Sequence, residues 1–102
     1  MKRPCEILLS DGVKDDVREL RAYDRQKVLD MIEAQLMHAP NVSTKDRRLL
    51  RNLTPPFEAV PPIWQLRVGA FRVLYDIDEA DHRVSIRAIR QKPVHVKTEE
   101  IL

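Results

Sequence analysis

The sequence predicts an α+β fold: an N-terminal strand, then a two-helix hairpin packed on one face of a small antiparallel sheet. Three observations support this order. A short apolar run at residues 5–10 comes first, two stretches with helical apolar spacing follow, and residues 63–90 alternate between apolar and polar positions. The chain has 102 residues, of which 43% are apolar, so we expect residues 1–102 to form a single domain around one modest core.

The N-terminal part of the chain predicts one strand and two helices. The first apolar run forms the strand, and Ser10 or Asp11 can cap the helix that follows it. We expect this helix to break at Tyr23-Asp24, where Asp24 can cap a second helix that runs to about Met37. Each helix has an apolar stripe, formed by Val13, Val17 and Leu20 in the first and by Val28, Leu29, Ile32 and Leu36 in the second.

A β-hairpin is the clearest pattern in the sequence. Apolar and polar residues alternate on both sides of Gly69-Ala70, a two-residue break with the glycine that such turns favour. This turn fixes the register and places Arg67 directly opposite Arg72. One face should be the core face, with Trp64, Leu66, Val68, Phe71, Val73, Tyr75 and Ile77. The opposite, polar face carries Ile63, Gln65, Arg67, Arg72, Leu74 and Asp76.

Two further strands complete the predicted sheet. After an acidic turn at 78–81, residues 82–90 form the third strand of a meander. Its core-face residues are Val84, Ile86 and Ala88, and its polar-face residues are Ser85, Arg87 and Ile89. Residues 40–62 are rich in proline and are expected to form a loop, interrupted by a short strand at about 49–53.

Composition excludes several classes of protein. The net charge of +2 is too small to indicate nucleic-acid binding by itself. The single cysteine, Cys5, excludes an intramolecular disulfide and a cysteine-built zinc site, and two glycines are too few for a P-loop or a dinucleotide fingerprint. Because no apolar run suits a membrane helix and no signal peptide is recognised, we expect a cytoplasmic protein without membrane contact.

The distribution of charge draws attention to the polar face of the hairpin. Arg67 and Arg72 would repel each other unless an anion lay between them. They could instead extend into solvent or pair with Asp76. The functional interpretation is a phosphate-binding face, because the planar fork of arginine suits phosphate. The third strand and the segment after it would extend this face with Arg87, Arg90 and Lys92.

Few side chains could transfer a proton in such a site. His95 is the best candidate, because its neighbours in the sequence are basic and could hold a phosphate beside it. An exposed histidine without a chemical role is the alternative. His38 lies at a helix end and His82 in the acidic turn, so capping and surface roles are expected for them. Tyr75 and Trp64 fall on the core face and are interpreted as core residues.

The run of residues 64–78 resembles the RelE/ParE superfamily of bacterial toxins. Members carry an aromatic residue, then Leu-Arg-x-Gly, an aromatic-Arg step and a tyrosine at the end of the second hairpin strand. Here these motifs are Leu66-Arg67-Val68-Gly69 and Phe71-Arg72-Val73-Leu74-Tyr75. The leading strand, the helical hairpin, the meander and the length also match. The resemblance therefore implies a RelE/ParE-like fold over nearly the whole chain.

Membership of this superfamily would imply the toxin of a type II toxin–antitoxin module, neutralised by an antitoxin that wraps around it. RelE-like members enter the ribosomal A site and cut messenger RNA, whereas ParE-like members poison DNA gyrase. In the ribonucleases, basic side chains on the sheet hold the scissile phosphate, and the 2′-hydroxyl of the RNA attacks it without a metal or other cofactor. We expect a monomer in the free form, with an apolar groove beside the helices for a segment of the antitoxin.

The resemblance can be carried over to individual residues. Arg72 matches the hairpin arginine that contacts phosphate in RelE-like ribonucleases. Lys92 lies close to the position of a further arginine after the last strand, and His95 lies near the position of a C-terminal tyrosine. The sequence departs from the pattern at Ile63 and Gln65, which stand where well-known members have lysines.

Three functions remain open at this stage. The leading one is a ribosome-dependent mRNA endonuclease that represses translation, whose partners would be the ribosome and mRNA. Its catalytic residues would be Arg72, Lys92 and His95, and its RNA-binding residues would be Arg67, Arg87 and Arg90. The missing lysines and the low net charge favour the second function, a ParE-like inhibitor of DNA gyrase. The third is a non-catalytic member that binds only its antitoxin.

Overall fold

The computed structural model describes residues 4–51, 53–93 and 95–102, which form two α-helices and a five-stranded sheet. The strands are β1 (Glu6–Leu9), β2 (Arg47–Leu50), β3 (Ile63–Val68), β4 (Phe71–Asp78) and β5 (Arg83–Gln91). The helices are α1 (Asp11–Glu19) and α2 (Ala22–Leu36), and a 3-10 turn follows at Thr98–Glu100. None of the helices in this part of the chain is long and apolar enough to cross a membrane.

The sheet is mostly antiparallel and has the strand order β1-β5-β4-β3-β2. Only β1 runs parallel to its neighbour, β5, and the remaining pairs are antiparallel. Both helices cover the same face of this sheet, because their buried side chains share one core with it. The helical members of this core are Val13, Val28, Ile32 and Leu36. The predicted α+β fold is therefore confirmed.

The hairpin of β3 and β4 has the predicted register. Arg67 pairs with Arg72, and Trp64 pairs with Tyr75. Gly69, the first of the two turn residues, has a φ of 58°, which is the conformation that a type II′ turn requires at this position. On the core face the rings of Trp64 and Tyr75 stack with their centroids 6.3 Å apart. The side of the hairpin that the alternation assigns to the core is thus packed against the helices.

The two glycines should respond in opposite directions to alanine substitution. Gly69→Ala puts a β-carbon on left-handed backbone, so we expect it to lower the free energy of unfolding by about 1 kcal/mol. Gly12→Ala lies in the first turn of α1 with open space around the new β-carbon, and should raise that free energy by about 0.5 kcal/mol. Urea unfolding measures both changes. A stabilised Gly69→Ala variant would contradict the turn described here.

A β-bulge in β5 changes the alternation that the sequence predicts. The pairing of β4 with β5 passes over Arg87, which is the extra residue of the bulge. Beyond this point the two faces exchange. Ile89 joins the core beneath the helices, and Ala88 turns to the other side of the sheet. The predicted positions of Ala88 on the core face and Ile89 on the polar face are therefore wrong.

The second face of the sheet is partly covered by side chains from β2, from the proline-rich loop and from the C-terminal segment. Ile63, Leu74 and Ala88 are buried there as a separate small cluster, beneath Leu50, Leu53, Phe57, Ala59 and Leu102. Asp76 ties the proline-rich loop to this face, because its Oδ2 accepts a 2.7 Å hydrogen bond from the amide of Val60. Part of the face predicted to be polar is therefore a second apolar core.

The break between the helices lies earlier than predicted. Ser10 caps α1 as expected, since its Oγ accepts a hydrogen bond from the amide of Val13. The chain leaves α1 at residues 20–21, and residues 23–24 already belong to the first turn of α2. Arg25 fixes this position, because its guanidinium donates to the terminal α1 carbonyls of Val17, Arg18 and Leu20.

The short strand after α2 also begins earlier than predicted. Strand β2 occupies Arg47–Leu50, whereas the sequence suggested about 49–53. Arg47 is buried beneath the end of α2, where its Nη1 donates to the carbonyl oxygens of Gln35 at 2.6 Å and Ala39 at 3.0 Å. It thereby satisfies carbonyl groups that the helix itself leaves unpaired. This contact fixes the start of β2.

Tyr75 should make the stability depend on pH in alkaline solution. Burial raises the pKa of its phenol, against the opposing effect of Arg47, and the hydroxyl donates a 2.8 Å hydrogen bond to the carbonyl of Pro40. Above pH about 10 the unfolded chain loses this proton and the folded chain keeps it. The free energy of unfolding should then fall by about 1.4 kcal/mol per pH unit from this group.

Urea unfolding between pH 9 and 11 tests this expectation. Tyr75→Phe should remove that component of the slope, although it also removes the hydrogen bond to Pro40. Tyr23→Phe is the matched control, because the Tyr23 side chain is 78% exposed. Equal alkaline slopes for the wild type and Tyr75→Phe would contradict the interpretation.

Candidate functional site: a basic cleft on the sheet

A cleft of about 300 Å³ lies on the second face, at the end of the sheet beside the hairpin turn. Its walls come from β2 and the loop before it, from β3 and β4, and from the segment after β5. We call it the basic cleft, and its lining residues are Thr44, Lys45, Asp46, Arg47, Arg48, Gln65, Arg67, Arg72, Lys92 and Thr98. Six of these ten are Lys or Arg and only one is acidic, so the cleft suits an anion.

Arg72 is the lining residue that faces Arg67 across the hairpin. Within the described residues it has no carboxylate partner, and its Nη1 donates to the backbone oxygens of Gly69 and Phe71, each at 2.8 Å. Partial burial lowers the pKa of its guanidinium, and the nearby charges of Arg67 and Arg48 lower it further. Because arginine stays protonated in proteins, an anion beside Arg72 would offset both its partial loss of solvent and the repulsion from these two arginines.

Arg67 lies opposite Arg72 but is already paired with a carboxylate. Its Nη2 lies 3.0 Å from Oδ1 of Asp46 and its Nε lies 3.3 Å from the same oxygen. The sequence left two alternatives to an anion between the arginines, solvent exposure or a pair with Asp76. The structure shows a different arrangement, because Asp46, just before β2, provides the carboxylate. Only one arginine of the facing pair is therefore neutralised.

Arg87 and Arg90 do not line the basic cleft. Arg87, at the bulge, donates from Nε to Oδ2 of Asp76 at 2.7 Å, and the Asp76 side chain is only 5% exposed. Arg90 lies opposite Arg72 in the sheet, but its Nη1 donates to Oδ2 of Asp16 in α1 at 2.9 Å. Both arginines belong to ion pairs that hold β5 to its neighbours.

The C-terminal segment contributes Lys92 to the cleft and leaves His95 outside its lining. The amide of Lys92 donates to the carbonyl of Ala70 at 2.7 Å, which holds this segment against the hairpin turn. His95 is exposed, in the turn that precedes the 3-10 helix. His38 and His82 line a separate cavity of about 360 Å³ next to Cys5. Of the three histidines, His95 is thus the one on the segment that reaches the basic cleft.

Gln65 has a structural role at the floor of the cleft. It is buried, and its Oε1 accepts a hydrogen bond from the hydroxyl of Thr98. This contact attaches the C-terminal segment to β3. Ile63, the other position at which the RelE pattern has a lysine, is buried in the second apolar cluster. Both departures from the pattern are therefore packed parts of this fold.

The sequence did not lead us to the charged cleft residues at 45–48, of which Arg48 and Asp46 matter most for the site. Arg48 pairs with Gln65 across β2 and β3, so both lie on the face of the cleft, and Asp46 lies just before that strand. The sequence does contain a signal for this arrangement. Arg48 and Leu50 are two residues apart, so they lie on one face of the strand, the face that also carries Ile63. Because the predicted strand began only at about residue 49, Asp46 and Arg48 fell in the loop expected before it.

Solved toxin–antitoxin complexes contain the same fold. The RelBE2 complex from Mycobacterium tuberculosis aligns with a TM-score of 0.71 and 18% identity, over 90% of this chain and 95% of that chain. The archaeal RelE–RelB complex from Pyrococcus horikoshii aligns with a TM-score of 0.68 and 18% identity, over 88% and 97% of the two chains. No protein-family model and no curated protein matches the sequence. The resemblance inferred from the hairpin motif is confirmed at the level of the fold.

Proposed function

We propose that this chain, which has the RelE fold, is the toxin of a type II toxin–antitoxin module and cleaves messenger RNA on the ribosome. The observation that carries the proposal is the basic cleft, where Arg72 faces Arg67 without a carboxylate of its own in the described chain. A phosphate between these arginines would relieve their repulsion. Arg48 and Lys92 line the same cleft and would neutralise the phosphates on either side.

The reaction that this site would support needs no nucleophile from the protein. The 2′-hydroxyl of the RNA attacks the adjacent phosphorus, the bond to the 5′-oxygen breaks, and a 2′,3′-cyclic phosphate and a 5′-hydroxyl form. One proton leaves the 2′-oxygen and one is delivered to the 5′-oxygen. Arg72 would stabilise the charge that develops on the phosphorane oxygens, because a fixed cation loses little when that charge appears.

His95 and Lys92 should affect different steps of this reaction. We propose His95 for proton transfer, so His95→Gln should lower the single-turnover cleavage rate about a hundredfold with little change in ribosome binding. Lys92→Ala should mainly weaken RNA binding and reduce its salt dependence. Quench-flow cleavage and filter binding separate the two effects. His82→Gln is the control, since His82 lines the separate cavity, and an equal loss in His82→Gln would contradict the assignment.

The antitoxin would bind on the other side of the molecule. An apolar groove of about 350 Å³ lies between β1 and α2, lined by Cys5, Ile7, Leu9, Leu29, Ile32, Glu33 and Met37. Strand β1 lies at one end of the sheet and, among the residues that the structure describes, pairs only with β5, so its outer edge can accept a further strand. We propose that an extended or helical antitoxin segment occupies this groove.

A gyrase inhibitor is the second candidate. It is favoured by Ile63 and Gln65, because both are buried and neither can supply the charge of the missing lysines. Primer extension on an mRNA in a purified translation reaction distinguishes the two functions. New 3′ ends that appear only when ribosomes are present support the nuclease. Inhibition of gyrase supercoiling without any RNA cleavage would replace it with the second candidate.

A further inference from the structure

Among the described residues that line the basic cleft, Asp46 is the only one with a carboxylate. Its backbone is fixed at both ends, since its amide donates to Oγ1 of Thr44 at 3.2 Å and its carbonyl accepts from the amide of Arg67 at 2.7 Å. Its side chain is 28% exposed and contacts the Arg67 guanidinium through Oδ1. The carboxylate is therefore held at the mouth of an otherwise cationic site.

The contact between Asp46 and Arg67 uses the same donors that a phosphate would use. Nε and Nη2 of Arg67 both point to one carboxylate oxygen, at 3.3 Å and 3.0 Å. Arginine presents this pair of donors equally to carboxylate and phosphate oxygens. A phosphate that reaches the cleft must therefore compete with Asp46 for Arg67, whereas at Arg72 it meets only backbone acceptors.

We propose that Asp46 pairs with Arg67 in the free protein and is displaced from it when an RNA phosphate binds. We call this displaceable ion pair between Asp46 and Arg67 the latch. This inference rests on the proposed function, because it describes how the same cleft is regulated. Arg72 provides the permanent anion contact, and Arg67 joins only after Asp46 has been displaced. While Asp46 is paired with Arg67, the affinity of the basic cleft for polyanions free in solution stays low. RNA that other contacts already hold at the cleft is therefore favoured over free RNA.

A binding measurement with an uncleavable RNA tests the latch. The probe is a fluorescein-labelled hexaribonucleotide with 2′-O-methyl groups throughout, titrated by anisotropy at several salt concentrations. Asp46→Asn keeps the size and the backbone contacts and removes the charge, and it should tighten binding about two- to fivefold at low salt. The matched control is Glu99→Gln, which removes one negative charge from an exposed position next to Thr98.

The background of Arg67→Gln shows whether the effect passes through Arg67. The latch predicts that Asp46→Asn tightens binding in the wild-type background and has no effect when Arg67 is Gln. An equal gain in both backgrounds, or the same gain in Glu99→Gln, would overturn the latch in favour of a general charge effect. No gain in Asp46→Asn would also overturn it.

Arg72→Ala separates failure of the latch from failure of the proposed function. If Arg72→Ala weakens binding and Asp46→Asn has no effect, the cleft binds RNA and the latch alone is wrong. If Arg72→Ala binds the probe as tightly as the wild type, the cleft is not the RNA site. Both the proposed function and the latch are then overturned.

Discussion

Replacement of Arg72 by alanine is expected to lower the single-turnover rate of mRNA cleavage on the ribosome by about a hundredfold or more. Arg72 lines the basic cleft, faces Arg67 and has no carboxylate partner within the described residues. Its positive charge is therefore available to the phosphorane oxygens. Quench-flow measurement with the toxin in excess over the ribosome–mRNA complex isolates this step from product release.

Two further variants, a conservative change at Arg72 and a control elsewhere, make this test more specific. Arg72→Lys keeps the charge and loses the planar fork, so its rate should lie between those of the wild type and Arg72→Ala. Arg83→Ala is the matched control, because it removes the same charge from a strand position whose partners are Glu6 and Asp81. Retention of the full rate in Arg72→Ala would show that the basic cleft is not the catalytic site.

Removal of Asp76 is expected to produce the largest loss of stability. Asp76 is 4% exposed and accepts hydrogen bonds from the Arg87 guanidinium and from the amide of Val60. Asp76→Ala leaves a backbone donor and the Arg87 cation, whose side chain is only 19% exposed, without their partner. We expect the free energy of unfolding to fall by about 3 kcal/mol. For a domain of this size that lowers the Tm by roughly 12 °C or more.

Asp78→Ala is the control for the loss of an exposed carboxylate, which here accepts one hydrogen bond, from the amide of Asp81. Asp78 lies two residues further along β4 and is exposed, so its removal should change the Tm by only a few degrees. Thermal unfolding followed by circular dichroism compares the two variants. If Asp76→Ala has the wild-type Tm, Arg87 is not held structurally, and its expected role in RNA binding would regain support.

The hairpin could be predicted because all of its determinants are local. Gly69 defines the turn, the alternation on either side defines the faces, and together they place Arg67 opposite Arg72. The helical stripes were equally readable, since Val28, Ile32 and Leu36 recur with the period of a helix and are buried. Where the apolar alternation and the turn residues indicate the same structure, a single sequence is enough to predict that structure.

The interactions of the β5 arginines could not be predicted because they join distant parts of the chain. Arg90 pairs with Asp16, 74 residues earlier, and only the packing of α1 beside β5 brings them together. Arg87 lies at a β-bulge, and no glycine or other turn residue in the sequence predicts a bulge at this position. Strand β2 has only four residues, too few for a clear alternation, and this is why Arg48 and Asp46 were missed.

The most direct test of the account is to observe the arginines individually while RNA binds. The Nε–H resonances in a ¹H–¹⁵N spectrum report each ordered guanidinium, and the uncleavable 2′-O-methyl hexaribonucleotide is the titrant. We predict shifts at Arg72 and Arg67 and unchanged resonances at Arg87 and Arg90, whose guanidinium groups are held by Asp76 and Asp16. Shifts at Arg87 and Arg90 with none at Arg72 would contradict the basic cleft as the site of RNA binding.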